Sequence, residues 1–230
     1  METDTLGRGD DLLFVMGWGN RVDGTNERWF AEQLASEGYR VTLVELSTNP
    51  TSFERDYLVP AAGVRDDLGS PTVVGHGAGG LVAAHLEPRR AVYVNPWWAF
   101  YGERLRGRLL ELGSKLPVST PLVPVDFDRE EVGPRVTDRG WRRVPDRVSS
   151  AFVREIRRAR AELPAVGDGT RVCVSLSDTI VGLQGVGDRV PPERIHLYEG
   201  RHEPFTAADR AAATGVVTEA LSAAESSVTL

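Results

Sequence analysis

The amino-acid sequence predicts an α/β fold: a mostly parallel sheet flanked by helices and carrying a helical cap insertion. Three observations predict it. Short apolar runs alternate with longer segments of helical pattern; the alternation stops after Asn95 and resumes at Arg171; and a glycine-rich turn joins the third run to the helix that follows. Runs that are apolar on both faces and separated by helices imply parallel strands with right-handed crossovers, covered by helices on each side. Sites in such sheets lie at the carboxyl ends of the strands.

The elements follow in order. Residues 11–16 read as a buried strand ending at Gly17, and residues 26–37 as a helix with Trp29, Phe30, Gln33 and Leu34 on one side and Gly38 as its stop. Residues 40–46 make a second strand. Residues 52–68 have a helical pattern interrupted by Pro60. Residues 72–75 form a third strand, 78–86 a helix and 91–95 a fourth strand. The stretch 96–163 then reads as an insertion between two halves of one sheet within a single domain spanning 1–230. It holds a basic amphipathic helix near 100–112, a proline-rich extended piece at 117–124, a charged loop and a helix at 149–162. Strands at 171–175 and 194–198 and a helix from about 207 to 224 complete the pattern, with Thr206 and Asp209 placed as a capping box.

Composition bounds the function. Hydrophobic residues at 41% and charged residues at 26% are ordinary for a globular chain, so neither disorder nor a fibrous repeat is indicated. A net charge of −6 without clustered Lys and Arg argues against a nucleic-acid partner and leaves a small molecule as the expected one. The amino terminus is polar and acidic, and no apolar run approaches the roughly 18 residues of a membrane span, so neither a signal peptide nor a membrane partner is expected. The single cysteine, Cys173, lies in an apolar run and reads as a buried strand residue, which fits a reducing cytoplasm.

The most informative stretch is Gly75-His76-Gly77-Ala78-Gly79-Gly80, between a strand and a helix. A nucleophile elbow belongs there: a sharp turn that lifts one side chain above the sheet, with small neighbours to permit the backbone. In G-x-S-x-G the centre is serine; here Gly75 and Gly79 match and the centre is Gly77. The run resembles the Gly-His-Ser-Ala-Gly-Gly of the α/β-hydrolase family, specifically its serine carboxylesterase-like members, with one residue changed. Met16-Gly17-Trp18-Gly19-Asn20 is similar to the family's His-Gly-Trp-Gly loop. That likeness implies an oxyanion hole made by the backbone N–H groups of Trp18 and Ala78, although Met16 stands where the family usually has histidine. Asp178 follows the strand ending near Ser175, where the family carries its acid, and His202 follows the last strand in the place of the base. The resemblance covers residues 11 to about 221, implies a cap at 96–163, and implies no cofactor.

The same residues satisfy G-x-G-x-x-G through Gly75, Gly77 and Gly80, a dinucleotide fingerprint. That motif expects an acidic residue about 20 positions on, at the end of the next strand, and Asn95 stands there. It also leaves Asp178 and His202 without a role. The hydrolase reading is preferred.

Other residues have plainer readings. His76 is expected to pack beneath the turn. Asp126, Asp128, Glu130 and Glu131 lack the glycine and spacing of a calcium loop and read as a solvated cap loop, so no metal is expected. Trp97 and Trp98, with Phe100 and Tyr101, form an aromatic cluster that either packs the cap or walls the substrate pocket.

Glycine offers no nucleophile, so no acyl-enzyme forms through position 77. Three explanations stay open. The chain is a pseudo-hydrolase whose pocket binds a small apolar ligand or a partner; or a non-serine enzyme in which His202 and Asp178 form a general-base dyad for proton abstraction or lyase-type chemistry; or a carboxylesterase-like hydrolase whose serine was deliberately replaced. The first is preferred.

Overall fold

A computed structural model describes residues 1–100, 118–125 and 127–226. The expected basic helix near 100–112 falls almost wholly outside these, as does Asp126. The described strands are β1 (Thr3–Gly7), β2 (Asp10–Val15), β3 (Tyr39–Val44), β4 (Thr72–His76), β5 (Ala91–Val94), β6 (Pro121–Pro124), β7 (Arg147–Ser149), β8 (Thr170–Ser175) and β9 (Ile195–Tyr198). The described helices are α1 (Thr25–Ser36), α2 (Val59–Asp67), α3 (Ala78–His85), α4 (Arg129–Val132), α5 (Asp138–Trp141), α6 (Ser150–Ala161), α7 (Gln184–Gly187) and α8 (Arg210–Ser226).

Seven strands form one sheet in the order β1-β3-β2-β4-β5-β8-β9. All neighbours are parallel except β1 with β3. Parallel strands buried on both faces explain the continuous apolar runs. Leu13 and Val15 of β2 face a cluster with Tyr57, Leu81 and Phe152, while Leu12 and Phe14 face another with Phe30, Val217 and Leu221. β5 pairs directly with β8, Ala91 opposite Thr170, so the strands on either side of the long intervening segment are neighbours. Within that segment β6 and β7 form a separate antiparallel pair. Among the described residues no helix is long and apolar enough to cross a membrane.

Three local expectations change. β1 was not anticipated: its residues alternate between exposed and half-buried because it is an edge strand with polar residues, too short for a period-two signal to stand out. The pattern around Pro60 is continuous, not broken. A π-helical turn, Glu54–Leu58, with Val59 N–H donating to Glu54 O, leads into α2 with Pro60 in its first turn, where a missing N–H costs little. The capping box at Thr206 and Asp209 does not form. The Thr206 hydroxyl is buried and directed at the Val132 and Glu203 carbonyls, and Asp209 alone caps the next helix by accepting from Ala212 N–H at 3.0 Å.

In the charged loop, Asp128 accepts from the N–H groups of Glu130 and Glu131, and Glu131 returns the bond to Asp128 N–H. These carboxylates cap α4. Among the described residues no group of three His, Cys, Asp or Glu side chains gathers around one point. Cys173 is buried, and burial pushes its thiol up.

Candidate active site

Gly77 lies between β4 and α3 with φ 54° and ψ −120°, a left-handed combination that side-chain-bearing residues adopt only under strain. Backbone bonds hold the turn. Gly77 N–H donates to Val94 O at 3.0 Å, and its carbonyl accepts from Gly80, Leu81 and Trp97 N–H. The turn also packs too closely for side chains, since a Cβ on Gly79 would lie 2.0 Å from the Val15 carbonyl oxygen.

Around this turn the structure brings together residues far apart in sequence. A Cβ added to Gly77 would lie 3.1 Å from His202 Nε2, 3.4 Å from Trp97 Nε1 and 3.7 Å from Gly17 Cα. His202 Nδ1 is 2.8 Å from Asp178 Oδ2. The other Asp178 oxygen accepts N–H groups of Ile180 and Val181 at 2.7 and 3.1 Å, and the carboxylate is fully buried. Such a carboxylate is an acceptor on both oxygens, so it draws the imidazole proton to Nδ1 and leaves the Nε2 lone pair toward Gly77.

The four remaining residues separate. Ala78 opens α3 beside the turn, and Trp18 follows Gly17. The Trp18 indole turns away to donate to Thr48 O at 2.8 Å. Trp97 and Trp98, adjacent in sequence, do different things: Trp97 reaches the turn, while the Trp98 ring packs edge-on against Tyr93 at 5.1 Å. Both indole N–H groups are buried and meet no acceptor among the described residues.

Residues the sequence reading passed over hold the His202 loop. Asn95 is one of them. It is fully buried, with Nδ2 donating to Tyr198 Oη at 2.6 Å and the His202 carbonyl at 2.8 Å, while Oδ1 accepts Ser175 N–H at 3.0 Å. Its side chain therefore binds the ends of β5, β8 and β9 together. His76 lies beneath, as expected, with Nε2 3.3 Å from the His202 carbonyl and Nδ1 3.2 Å from Asn20 Oδ1. Burial, and then proximity to His202, holds the His76 pKa well below the usual imidazole value.

Asn20 continues this chain to a pair of glutamates. Its Nδ2 lies 2.7 Å from Glu203 Oε1 and 3.1 Å from Glu27 Oε1. Burial, reinforced by the charge of Glu27, pushes Glu203 up to about 8, and burial raises Glu27 as well. Glu27, Glu203, Asn20, Val132, Arg139 and Trp141 line a cavity of about 50 Å³ that touches neither Gly77 nor Trp97. Nothing in the spacing of positions 27 and 203 signals their meeting.

A parallel sheet with a strand-turn-helix elbow, and an Asp–His pair delivered to it by the last two strands, defines an α/β-hydrolase-fold protein. The chain belongs to the alpha/beta hydrolase family, which it matches over residues 12–219. It is similar in structure to a monoacylglycerol lipase from Paleococcus ferrophilus, with a TM-score of 0.73 and 17% identity over 96% of this chain and 98% of that one. A soluble variant of monoglyceride lipase from Saccharomyces cerevisiae, solved with a substrate analogue, aligns at TM-score 0.69 and 13% identity over 97% of this chain and 90% of that one. An esterase from Exiguobacterium antarcticum aligns at 0.65 and 15% over 96% and 94%. At these identities the likeness is one of fold. Against curated protein sequences the chain finds no significant match.

Proposed function

We propose that this chain is a hydrolase-fold protein that binds a small ester-like or apolar molecule above Gly77 without forming an acyl-enzyme. The observation that carries the reading is the approach of His202 Nε2 to within 3.1 Å of the point where a Cβ would stand on Gly77. The base faces backbone where the elbow of a serine hydrolase presents a hydroxyl. A serine placed there would require the ring to retreat by a few tenths of an ångström. Asp178 and His202 are the acid and base in this reading, Trp18 and Ala78 N–H the oxyanion donors, and Trp97 and Trp98 the aromatic side of the site. The lipases and esterase to which the chain is similar carry names that point to esters, which favours an ester-like shape for the ligand. The single domain with its insertion at about 96–163, a small-molecule partner without nucleic acid, and a cytoplasmic location are retained on the same terms.

A second reading draws on the intact pair itself. His202 with Nδ1 on a buried carboxylate at 2.8 Å is arranged as a general base, so proton abstraction from a bound substrate remains chemically available.

The test is restoration. A serine-directed fluorophosphonate is expected to leave the protein unlabelled, and Gly77→Ser is expected to raise short-chain esterase activity by at least about tenfold, in line with the contribution of an activated nucleophile. His202→Ala added to that variant should remove the gain. Stoichiometric labelling of the unaltered protein at any serine would overturn the proposal, because it would reveal a nucleophile elsewhere.

A further inference from the structure

A buried indole N–H without an acceptor is uncommon, since a polar group taken out of water without a partner is costly. Trp97 carries one. The residue is 6% exposed, its Nε1 meets no acceptor among the described residues, and Nε1 and His202 Nε2 lie 3.4 and 3.1 Å from the point where a Cβ would stand on Gly77. The indole ring is held in place by Trp18 at 6.3 Å and Phe100 at 5.2 Å, and Trp97 N–H is tied to the Gly77 carbonyl at 3.0 Å. Its direction is thus set by packing and backbone together.

The two nitrogens differ in chemistry. Trp97 Nε1–H can only donate. In the neutral tautomer that places the proton on Nδ1 toward Asp178, His202 Nε2 accepts, and it makes no hydrogen bond among the described residues. One atom type satisfies a donor and an acceptor at once: an oxygen that still bears a proton. A carbonyl, an ether or a carboxylate would satisfy Trp97 and leave Nε2 unmet, and an ammonium group would do the reverse.

We infer that Trp97 Nε1 and His202 Nε2 together form a hydroxyl-binding site above Gly77, its oxygen supplied by water or by the alcohol group of a ligand. The inference rests on the reading of Gly77 as a place for ligand rather than nucleophile, and it names the chemical group that meets both nitrogens there. Trp97 is accordingly a binding residue, in addition to any apolar wall it provides. Glycine is what allows it, because a serine hydroxyl at position 77 would itself lie between the two nitrogens and compete for both.

Titration with 1-propanol, followed by nuclear magnetic resonance of the Trp97 indole N–H and the His202 imidazole nitrogens, tests this. The alcohol is expected to shift both signals along one saturable curve, and methyl propyl ether, which cannot donate, to shift the indole alone. Trp97→Phe keeps the ring and removes the donor, and should weaken propanol binding by roughly 2- to 10-fold, the worth of one net hydrogen bond. A cross-peak between the indole proton and bound water in the free protein, lost as propanol is added, assigns the oxygen to water in one state and to ligand in the other. A propanol-induced shift of His202 with an unmoved indole signal, or unchanged affinity in Trp97→Phe, would overturn the inference while leaving non-acylating binding intact. Fluorophosphonate labelling fails the other way, removing that reading without bearing on the indole contact.

Discussion

The loop that carries His202 and the turn that carries Gly77 face each other, with His202 Nε2 3.1 Å from where a Cβ on Gly77 would stand, and different interactions hold them. On the His202 side all but one of the ties are side chains. Asn95, Tyr198 and His76 all approach the His202 carbonyl, Asp178 holds the ring, and His202 N–H reaches Glu131 O. On the Gly77 side the ties are backbone, with Val94 O below and the N–H groups of Gly80, Leu81 and Trp97 on the carbonyl. The difference shows why one half of a hydrolase site can lose its chemistry while the other keeps its form. No neighbour depends on a side chain at 77, and glycine relieves the strain of φ 54°, whereas several buried polar groups depend on the His202 loop. The Asp178–His202 pair is accordingly held in place by packing, whatever chemistry it carries out.

That contrast can be broken most forcefully at Asn95. Asn95→Ala leaves Ser175 N–H without its acceptor and removes two further hydrogen bonds, to Tyr198 Oη and to the His202 carbonyl, each of which keeps other partners; with about 1–3 kcal/mol for the unpaired N–H and about 0.5–1.5 kcal/mol for each bond removed, the variant should lose at least about 2 kcal/mol of stability in urea unfolding. A loss below about 1 kcal/mol, less than one such group, would mean that His202 is held by other means.

At the turn the expected effect is smaller. Gly77→Ala imposes a side chain on a left-handed backbone and presses a Cβ toward His202 Nε2, so it should destabilise by about 1–3 kcal/mol without creating activity. Equal stability of the two proteins in the same unfolding assay would show that the turn relaxes freely, and the contrast between side-chain and backbone support would lose its basis.

The smallest effect per step is on pH dependence, and it bears on the His202 side alone. Glu203 is pushed up to about 8 from an ordinary 4.5, so its folded form holds a proton more tightly than the unfolded chain. Its contribution is complete below pH 4.5 and is lost as pH rises through about 8, with Glu27 acting in the same direction. His76, depressed by burial, opposes this below about 6.5, where the unfolded chain takes up a proton that the buried ring does not. Stability should therefore fall between pH 6.5 and 8.5, by no more than about 1.4 kcal/mol per pH unit for each proton. Glu203→Gln should flatten the profile in that window, and a variant with an unchanged slope would place the titration elsewhere.

The layered fold was legible because its signals are local. Apolar runs buried on both faces, glycines where β4 meets α3, and the order Gly77, Asp178, His202 all reside in short stretches of chain. β1 escaped because an edge strand is half solvated and its residues need not be apolar. Thr206 misled because a hydroxyl three residues before Asp209 fits a capping box locally, while the fold sends it to Val132, 74 residues away.

What the sequence determined by itself is the identity of the group at each place: a residue without a side chain at the elbow, an imidazole after the last strand, a carboxylate one strand earlier. Tertiary structure alone decided which of them face one another. It set Trp97 toward Gly77 and Trp98 toward Tyr93, and carried Asn95 across 107 residues to the His202 carbonyl and Asn20 across 183 to Glu203. The reason is physical. Residue type and short-range periodicity are properties of the local chain, whereas the partners of a buried polar group depend on which strands the sheet places side by side, and that order is the outcome of packing the whole core.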